Sequence, residues 1–241
     1  MRIGITGIRG RMGQLLTREV AAAGMALAGG TGRGEDVDAL FAASDAVIDF
    51  THAHAAPDHA AAAARAGKPL ILGSSGLSAA EEAAVAEAAR AVPIVYAANF
   101  APGVNLLFAI AERMAAALPA VEYDAEIVEM HHRQKVDAPS GTAVALGRAV
   151  ARGRGTARDM ESGRDGHTGP RRTGAIGFAA LRGGQVVGEH TLIFAASSEH
   201  ITLGHRSFDR GAYAVGAVRA ARWATGRPAG LYDMRDVLGM G

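Results

Sequence analysis

The chain has 241 residues, 49% of them hydrophobic and 20% charged, a balance that suits one large globular domain or two small ones with a sizeable core. With 25 basic and 24 acidic side chains the formal charge is +1, so no global field draws the protein to nucleic acid or to an anionic membrane, and any anionic partner is small and bound locally. The absence of cysteine excludes a disulfide framework and a thiolate metal site, no apolar run approaches the roughly 20 residues of a membrane span, and the opening residues lack a signal-peptide layout. A cytoplasmic location is expected.

Arg2 to Thr6 reads as a short buried strand, followed by Gly7-Ile-Arg-Gly10-Arg-Met-Gly13 and a helical run from Met12 to about Ala23. In this strand, glycine turn and helix, Gly7 allows the tight turn, Gly10 admits a pyrophosphate and Gly13 permits close helix-to-strand packing. The helix N-terminus then faces the phosphates. A second strand, about Met25 to Thr31, ends in Gly32-Arg33-Gly34, where a dinucleotide fold places an acid for the ribose hydroxyls of NADH or an arginine for the 2′-phosphate of NADPH. Arg33 with Gly32 before it favours NADPH, while Glu35 and Asp36 keep NADH open.

The alternation continues with a strand over Asp45 to Thr51, a helix over Ala53 to Ala66, a strand from Pro69 running into Gly73-Ser74-Ser75-Gly76, a helix capped by Ser78, and a strand from Pro93 to Phe100. Such an order makes a parallel sheet with its site at the strands' C-terminal ends. Phe50, Thr51, Gly73, Ser74, Ser75, Ala97, Ala98, Asn99 and Phe100 are therefore expected to line the cofactor cleft. His52, His54 and His59 lack a carboxylate partner at ligand spacing and read as exposed residues around a helix start, so no metal is expected.

After a helix from Val104 to about Leu118 the grammar changes. A strand over Glu122 to His131, a helix from Ser140 to about Arg152, a polar loop from Gly153 to Arg172 and three β runs at about Gly174 to Leu181, Gln185 to Ala195 and His200 to Arg206 suggest an α+β domain. Gly183-Gly184 reads as a hairpin turn between two of those runs. Ile176, Phe178, Val186, Leu192, Phe194, Ile201 and Leu203 offer more apolar faces than two helices can cover, a surface for self-association. Arg210 to Thr225 returns to helix, and Gly230 to Leu238 is a short closing segment expected to pack on the first domain.

The chemistry concentrates in Glu126 to Thr142. His131 and His132 are of the one side-chain type that can change charge near neutral pH, and Lys135 carries a movable proton. Only Lys68 and Lys135 are lysines, whereas an arginine could not donate a proton at this pH. Pro139-Ser140-Gly141-Thr142 opens an alanine-rich helix whose free N–H groups suit an anion. For an isolated His-His a structural pair at a strand end is the competing reading, and the neighbouring lysine and helix start argue for an active site.

The run His131-His-Arg-Gln-Lys135-Val-Asp-Ala-Pro-Ser140-Gly-Thr142 resembles the signature of the 4-hydroxy-tetrahydrodipicolinate reductase (dihydrodipicolinate reductase) family. The likeness spans the chain through Gly7 to Gly13, Val47 to Thr51, Gly73 to Gly76, Ala98 to Phe100, Gly166 to Gly169, Gly188 to His190 and Leu231 to Asp236. It implies a Rossmann-like dinucleotide-binding domain over residues 1–101 and 210–241, and a substrate-binding and oligomerisation domain over 102–209 with a mixed open sheet. It also implies NAD(P)H as hydride donor, a small cyclic dicarboxylate as substrate, and a homotetramer built through the C-terminal sheet. His131 then matches the acid/base histidine and Lys135 the proton donor. His132, Ser140, Gly141 and Thr142 match substrate-carboxylate contacts, and Arg210 a substrate-side arginine. Gly7, Ile8, Arg9, Gly10, Arg11, Met12, Arg33, Gly73 to Ser75 and Ala97 to Phe100 match cofactor contacts. The chain departs from the family in having Gly73-Ser-Ser-Gly76 for Gly-Thr-Thr-Gly and Gly32 where many members place an acid. The polar loop around Gly166 to Gly169 is of a length and composition that would let it close over a substrate. Alternatives are a related Rossmann dehydrogenase for another small amino or keto acid, and a non-catalytic NAD(P)-sensing module.

Overall fold

The computed structural model describes residues 1–156 and 159–240. Two compact units form, Met1–Pro102 with Arg210–Gly241, and Gly103–Asp209. In chain order the elements are β1 (Arg2–Thr6), α1 (Arg11–Ala22), β2 (Ala26–Thr31), α2 (Val37–Ala43), β3 (Ala46–Asp49), α3 (Ala56–Ala66), β4 (Leu70–Leu72), α4 (Ala79–Ala88) and β5 (Pro93–Tyr96). Then follow α5 (Pro102–Ala117), β6 (Asp124–His131), α6 (Gly141–Arg154), β7 (Met160–Ser162), β8 (Ile176–Arg182), β9 (Gly188–Ala195) and β10 (His200–Ser207). The chain ends with α7 (Gly211–Ala224), β11 (Gly230–Tyr232) and α8 (Met234–Val237).

The first unit is a six-stranded sheet in the order β11-β5-β4-β3-β1-β2, with every described pairing parallel. Its inner strands are short unbroken apolar runs because helices cover both faces. Leu16, Val20, Val218 and Met234 pack with Ile3, Ile5 and Ile48 on one side, and Phe41, Ala60 and Val85 with Val47, Leu70 and Ile94 on the other. Ser78 caps α4 reciprocally with Glu81, as its position predicts. The sequence reading missed α2, a seven-residue helix started by Asp36, whose side chain accepts from the Ala39 N–H at 3.0 Å.

The second unit is a mixed five-stranded sheet, β10-β9-β6-β8-β7. Here β6 pairs parallel with β8 and antiparallel with β9, so it lies between them. Gly183-Gly184 is therefore not a hairpin turn but part of the link that passes the end of β6. Gly183 N–H donates to His131 O at 3.0 Å, and Arg133 N–H donates to Gly184 O at 3.3 Å. Two other expectations need correction. The segment expected as a loop over 153–172 contains the end of α6 and all of β7, an edge strand parallel to β8, while its residues 157 and 158 lie outside the described residues. Arg164 and Arg171, on either side of Gly166 to Gly169, are both paired to Glu126.

The apolar residues proposed for self-association are also mostly spoken for. Ile176, Phe178, Leu192 and Phe194 are buried, and Ile201 and Leu203 pack beside them, in the core that α5 and α6 contribute to. Val186 sits in the link between β8 and β9. Strand alternation sends Val128, Met130, Leu181 and Ile193 to the opposite face, where Leu181 is 51% exposed.

Candidate functional site

In the first unit, β1 ends in a turn at Gly7 with φ +64°, a conformation that favours glycine, and the Gly10 N–H closes the turn onto Gly7 O at 2.9 Å. A Cβ on Gly13 would stand 2.4 Å from the carbonyl oxygens of both Gly7 and Ile8, so only glycine lets α1 approach the turn. Gly10 is the N-cap of α1 and has no side-chain cap, which leaves first-turn N–H groups open to an anion. These features bound a cavity of about 650 Å³, lined among others by Arg9, Arg11, Met12, Arg33 and Thr51. Glycine where a Cβ would fill the cradle, open amides and several arginines fit a dinucleotide.

At the end of β2 the guanidinium of Arg9 lies against Gly32 and is ion-paired with Glu35, while Glu35 Oε2 accepts from the Gly32 N–H at 2.7 Å. Those bonds, from the Gly32 N–H first and Arg9 second, hold the Glu35 carboxyl below the usual range. Arg33 is exposed on the cavity rim.

After β3, Asp49 is fully buried and organises the next loop: its Oδ1 accepts from both the N–H and the hydroxyl of Thr51 at 2.7 Å. Its Oδ2 lies 2.6 Å from His59 Nδ1. The expectation that His59 is simply an exposed residue therefore fails, because its side chain is 13% exposed and paired with a carboxylate ten residues upstream. No group of three or more metal-ligating side chains occurs among the described residues. Phe50 stacks at an angle on Phe100, 5.4 Å between centroids, and its ring leaves no room for a Cβ on Gly73. Ser74 is buried with a hydroxyl that has no partner among the described residues, Asn99 Oδ1 accepts from the Ala101 N–H, and Ala97 N–H donates to Leu72 O. Arg210 is the N-cap residue of α7 and lines the cavity of the glycine turn.

In the second unit, β6 alternates strictly, and Ala125, Ile127, Glu129 and His131 point to the face that the helices cover. His131 Nδ1 lies 2.6 Å from Glu129 Oε2. Arg182, at the end of β8, grips both oxygens of Glu129 at 2.8 Å, and the Ser140 N–H donates to Oε1 at 3.1 Å. Burial pushes the Glu129 carboxyl up, but the bonds from Arg182, His131 and Ser140 outweigh it and hold it below the usual range.

Ser140 caps α6, its Oγ accepting from the Ala143 N–H at 3.1 Å and standing 3.0 Å from His190 Nε2. His190 meets His131 edge to face at 5.1 Å. Burial first, then the charge of His131, pushes His190 down to about 4, so it is neutral at neutral pH. A Cβ on Gly141 would meet nothing within 4 Å, which leaves open space over the first turn of α6. Thr142 follows it in that turn. Lys135 Nζ pairs with Asp137 Oδ1 at 2.8 Å, and Arg182 donates to Asp137 O at 2.6 Å. His132 has a buried Nδ1 with no partner among the described residues. The Ala138–Pro139 peptide is cis.

Residues 1–100 match the family model for the N-terminus of dihydrodipicolinate reductase, and residues 103–238 match the model for its C-terminus. The chain belongs to the dihydrodipicolinate reductase family. Across the whole chain it is 62% identical to the 4-hydroxy-tetrahydrodipicolinate reductase of Granulibacter bethesdensis, covering 97% of that protein. It is 59% identical to that of Gluconacetobacter diazotrophicus, with 98% covered. The fold is also that of the dipicolinate-bound dihydrodipicolinate reductase of Paenisporosarcina sp. TG-14, at TM-score 0.77 and 23% identity over 97% of each chain.

The cofactor of this family is a nicotinamide dinucleotide, and the substrate is a small molecule. Within its unit, the structure brings His131, Ser140, Gly141 and Thr142 to the meeting of the β6 end with the α6 start, and Lys135 lies in the loop that joins them. Arg210 belongs to the other unit, among the glycine-turn residues. Sequence reasoning gave no role to Glu129, Arg182 or His190. The signal for Glu129 was present: it is an acid at an inward position of an alternating strand, two residues before a histidine. Arg182 and His190 are 53 and 50 residues from the groups they bond, and nothing local marks them.

Proposed function

We propose that this chain reduces 4-hydroxy-tetrahydrodipicolinate to tetrahydrodipicolinate, with loss of water, as a step of diaminopimelate and lysine biosynthesis. The observation that carries the reading is a histidine backed by a buried carboxylate beside an open helix N-terminus, in a chain 62% identical throughout to a protein named for that reaction. The net change is uptake of a hydride and a proton and release of water. A bound nicotinamide dinucleotide supplies the hydride. Lys135 delivers the proton to the ring and His131 exchanges protons with it or orients it, a contribution of about 10²- to 10⁴-fold for a positioned acid. One substrate carboxylate sits on the N–H groups of Gly141 and Thr142, where the helix end contributes roughly 0.3 to 1 kcal/mol. His132 and Ser140 complete that cradle.

NADPH is the preferred donor. Support comes from Arg33, from the lack of an acid at Gly32, and from the engagement of the nearby Glu35 with Arg9. The glycine turn from Gly7 to Met12, with Phe50, Thr51, Gly73 to Ser75 and Ala97 to Phe100, holds the cofactor. Arg210, which lines the cavity of the glycine turn, is a substrate-side arginine. A homotetramer forms through the sheet face of Val128, Met130, Leu181 and Ile193. No helix among the described residues is long and apolar enough to cross a membrane; we place the enzyme in the cytoplasm. The test supplies purified protein with the condensation product of aspartate semialdehyde and pyruvate and follows oxidation of NADPH and NADH. Wild type turns over, Lys135→Ala loses at least about 10²-fold, and Arg33→Ala loses its preference for NADPH. Absence of oxidation of either cofactor sinks the proposal.

A further inference from the structure

The Glu129 carboxylate has about four acceptor sites, and four N–H groups fill them: His131 Nδ1 and Arg182 Nη1 on Oε2, and Ser140 N and Arg182 Nη2 on Oε1. Every neighbour is a donor. A protonated Glu129 would turn its own O–H against one of them, so the residue is an anion, and Nδ1 of His131 carries hydrogen. Nε2 is then the nitrogen that gains and loses the reacting proton. Its surroundings agree with that use. A Cβ on Gly188 would stand 3.0 Å from Nε2, so glycine at this position of β9 keeps that nitrogen clear.

Arg182 adds the second half of the argument. A buried carboxylate facing only His131 would hold it as imidazolium and resist release of its proton. The bidentate guanidinium neutralises Glu129 and shares both carboxylate oxygens with the imidazole and the Ser140 N–H. The same guanidinium donates to Asp137 O, next to the segment that carries Lys135. The Ser140 N–H on Oε1 ties the cradle helix to the same anion.

We infer that Glu129, neutralised by Arg182, is the positioning residue of the reduction: it fixes His131 as the Nδ1–H tautomer with Nε2 presented to the substrate. The inference rests on the reductase reading for its kinetic consequence, but not for its tautomer. The experiment is ¹⁵N NMR of the histidine side chains in full-length protein, with the His131 signals assigned by their loss in His131→Asn, alongside pH profiles of kcat and KM. Wild type shows neutral His131 protonated at Nδ1. Glu129→Gln places an amide N–H₂ among donors, so the Nδ1–H state is lost and kcat falls by about 10²-fold, while cofactor affinity measured by direct titration is unchanged.

Where Glu129→Gln does not fold, Arg182→Met serves as the second variant. It keeps the tautomer, but its pH profile moves to higher pH because the unneutralised carboxylate retains the proton on His131. A wild-type His131 protonated at Nε2 overturns the inference, as does a folded Glu129→Gln with wild-type kcat, or an Arg182→Met profile that does not move. Failure of wild type to reduce the substrate would instead overturn the reductase reading and leave the tautomer result standing.

Discussion

Ser140 joins two jobs in one hydroxyl, and its removal has a magnitude that the structure lets one work out. The Oγ accepts from the Ala143 N–H at 3.1 Å and meets His190 Nε2 at 3.0 Å, with Ser140 at 1% exposure and His190 at 4%. Ser140→Ala therefore loses an N-cap, about 1 kcal/mol. It also strands a buried imidazole nitrogen, about 1 to 3 kcal/mol. The sum is about 2 to 4 kcal/mol, read as a lower urea midpoint by circular dichroism. Ser140→Thr keeps the hydroxyl and is expected to cost under about 1 kcal/mol, and Ser140→Gly separates the terms, because glycine loses only a few tenths as a cap but strands His190 equally. Hydrogen exchange at the Ala143 amide supplies the local reading and should speed up in Ser140→Ala. A Ser140→Ala protein within about 0.5 kcal/mol of wild type, with a protected Ala143 amide, would refute the argument that this hydroxyl satisfies both groups.

His190 makes a prediction about pH. Burial holds it near 4 in the folded chain against an ordinary value of 6.5, so the unfolded chain takes up a proton that the folded one refuses. Its contribution is neutral above pH 6.5 and becomes a growing penalty as pH falls towards 4, about 2 kcal/mol between pH 7 and pH 5. Urea unfolding of His190→Gln should show a pH dependence shallower than wild type by that amount, and parallel curves would contradict the assignment. Gly13→Ala drives a methyl into the carbonyl oxygens of Gly7 and Ile8, so α1 must retreat from the turn. The expected cost is about 1 to 3 kcal/mol in thermal unfolding together with at least tenfold weaker NADPH binding by calorimetry, and unchanged affinity would argue that the turn does not hold the phosphates.

What the sequence made legible, and what it did not, follows the distance over which each feature is encoded. The glycine turn, the Ser78 cap and the Ser140 helix start are local patterns, with partners within a few residues, and they fold as their spacing suggests. Asp36 was weighed only as a ribose acid; it is the cap of a helix too short for periodicity to reveal. Gly183-Gly184 misled because a hairpin is the default for two β runs joined by glycines, whereas β6, about fifty residues upstream, outcompetes that pairing by inserting between them. His59 misled for the same reason at shorter range, its partner Asp49 lying at the end of the preceding strand. The stretch from Glu126 to Thr142 shows both limits at once. Its titratable groups were visible together, but the acid bonded to His131 was hidden as one more acid in an alternating strand. Its neutralising arginine lies on another strand altogether. A proton-transfer site needs a group that can change charge and a surrounding that fixes which atom changes. The first is written in residue types close in sequence, and the second only in the pairing of β6 with β8 and β9.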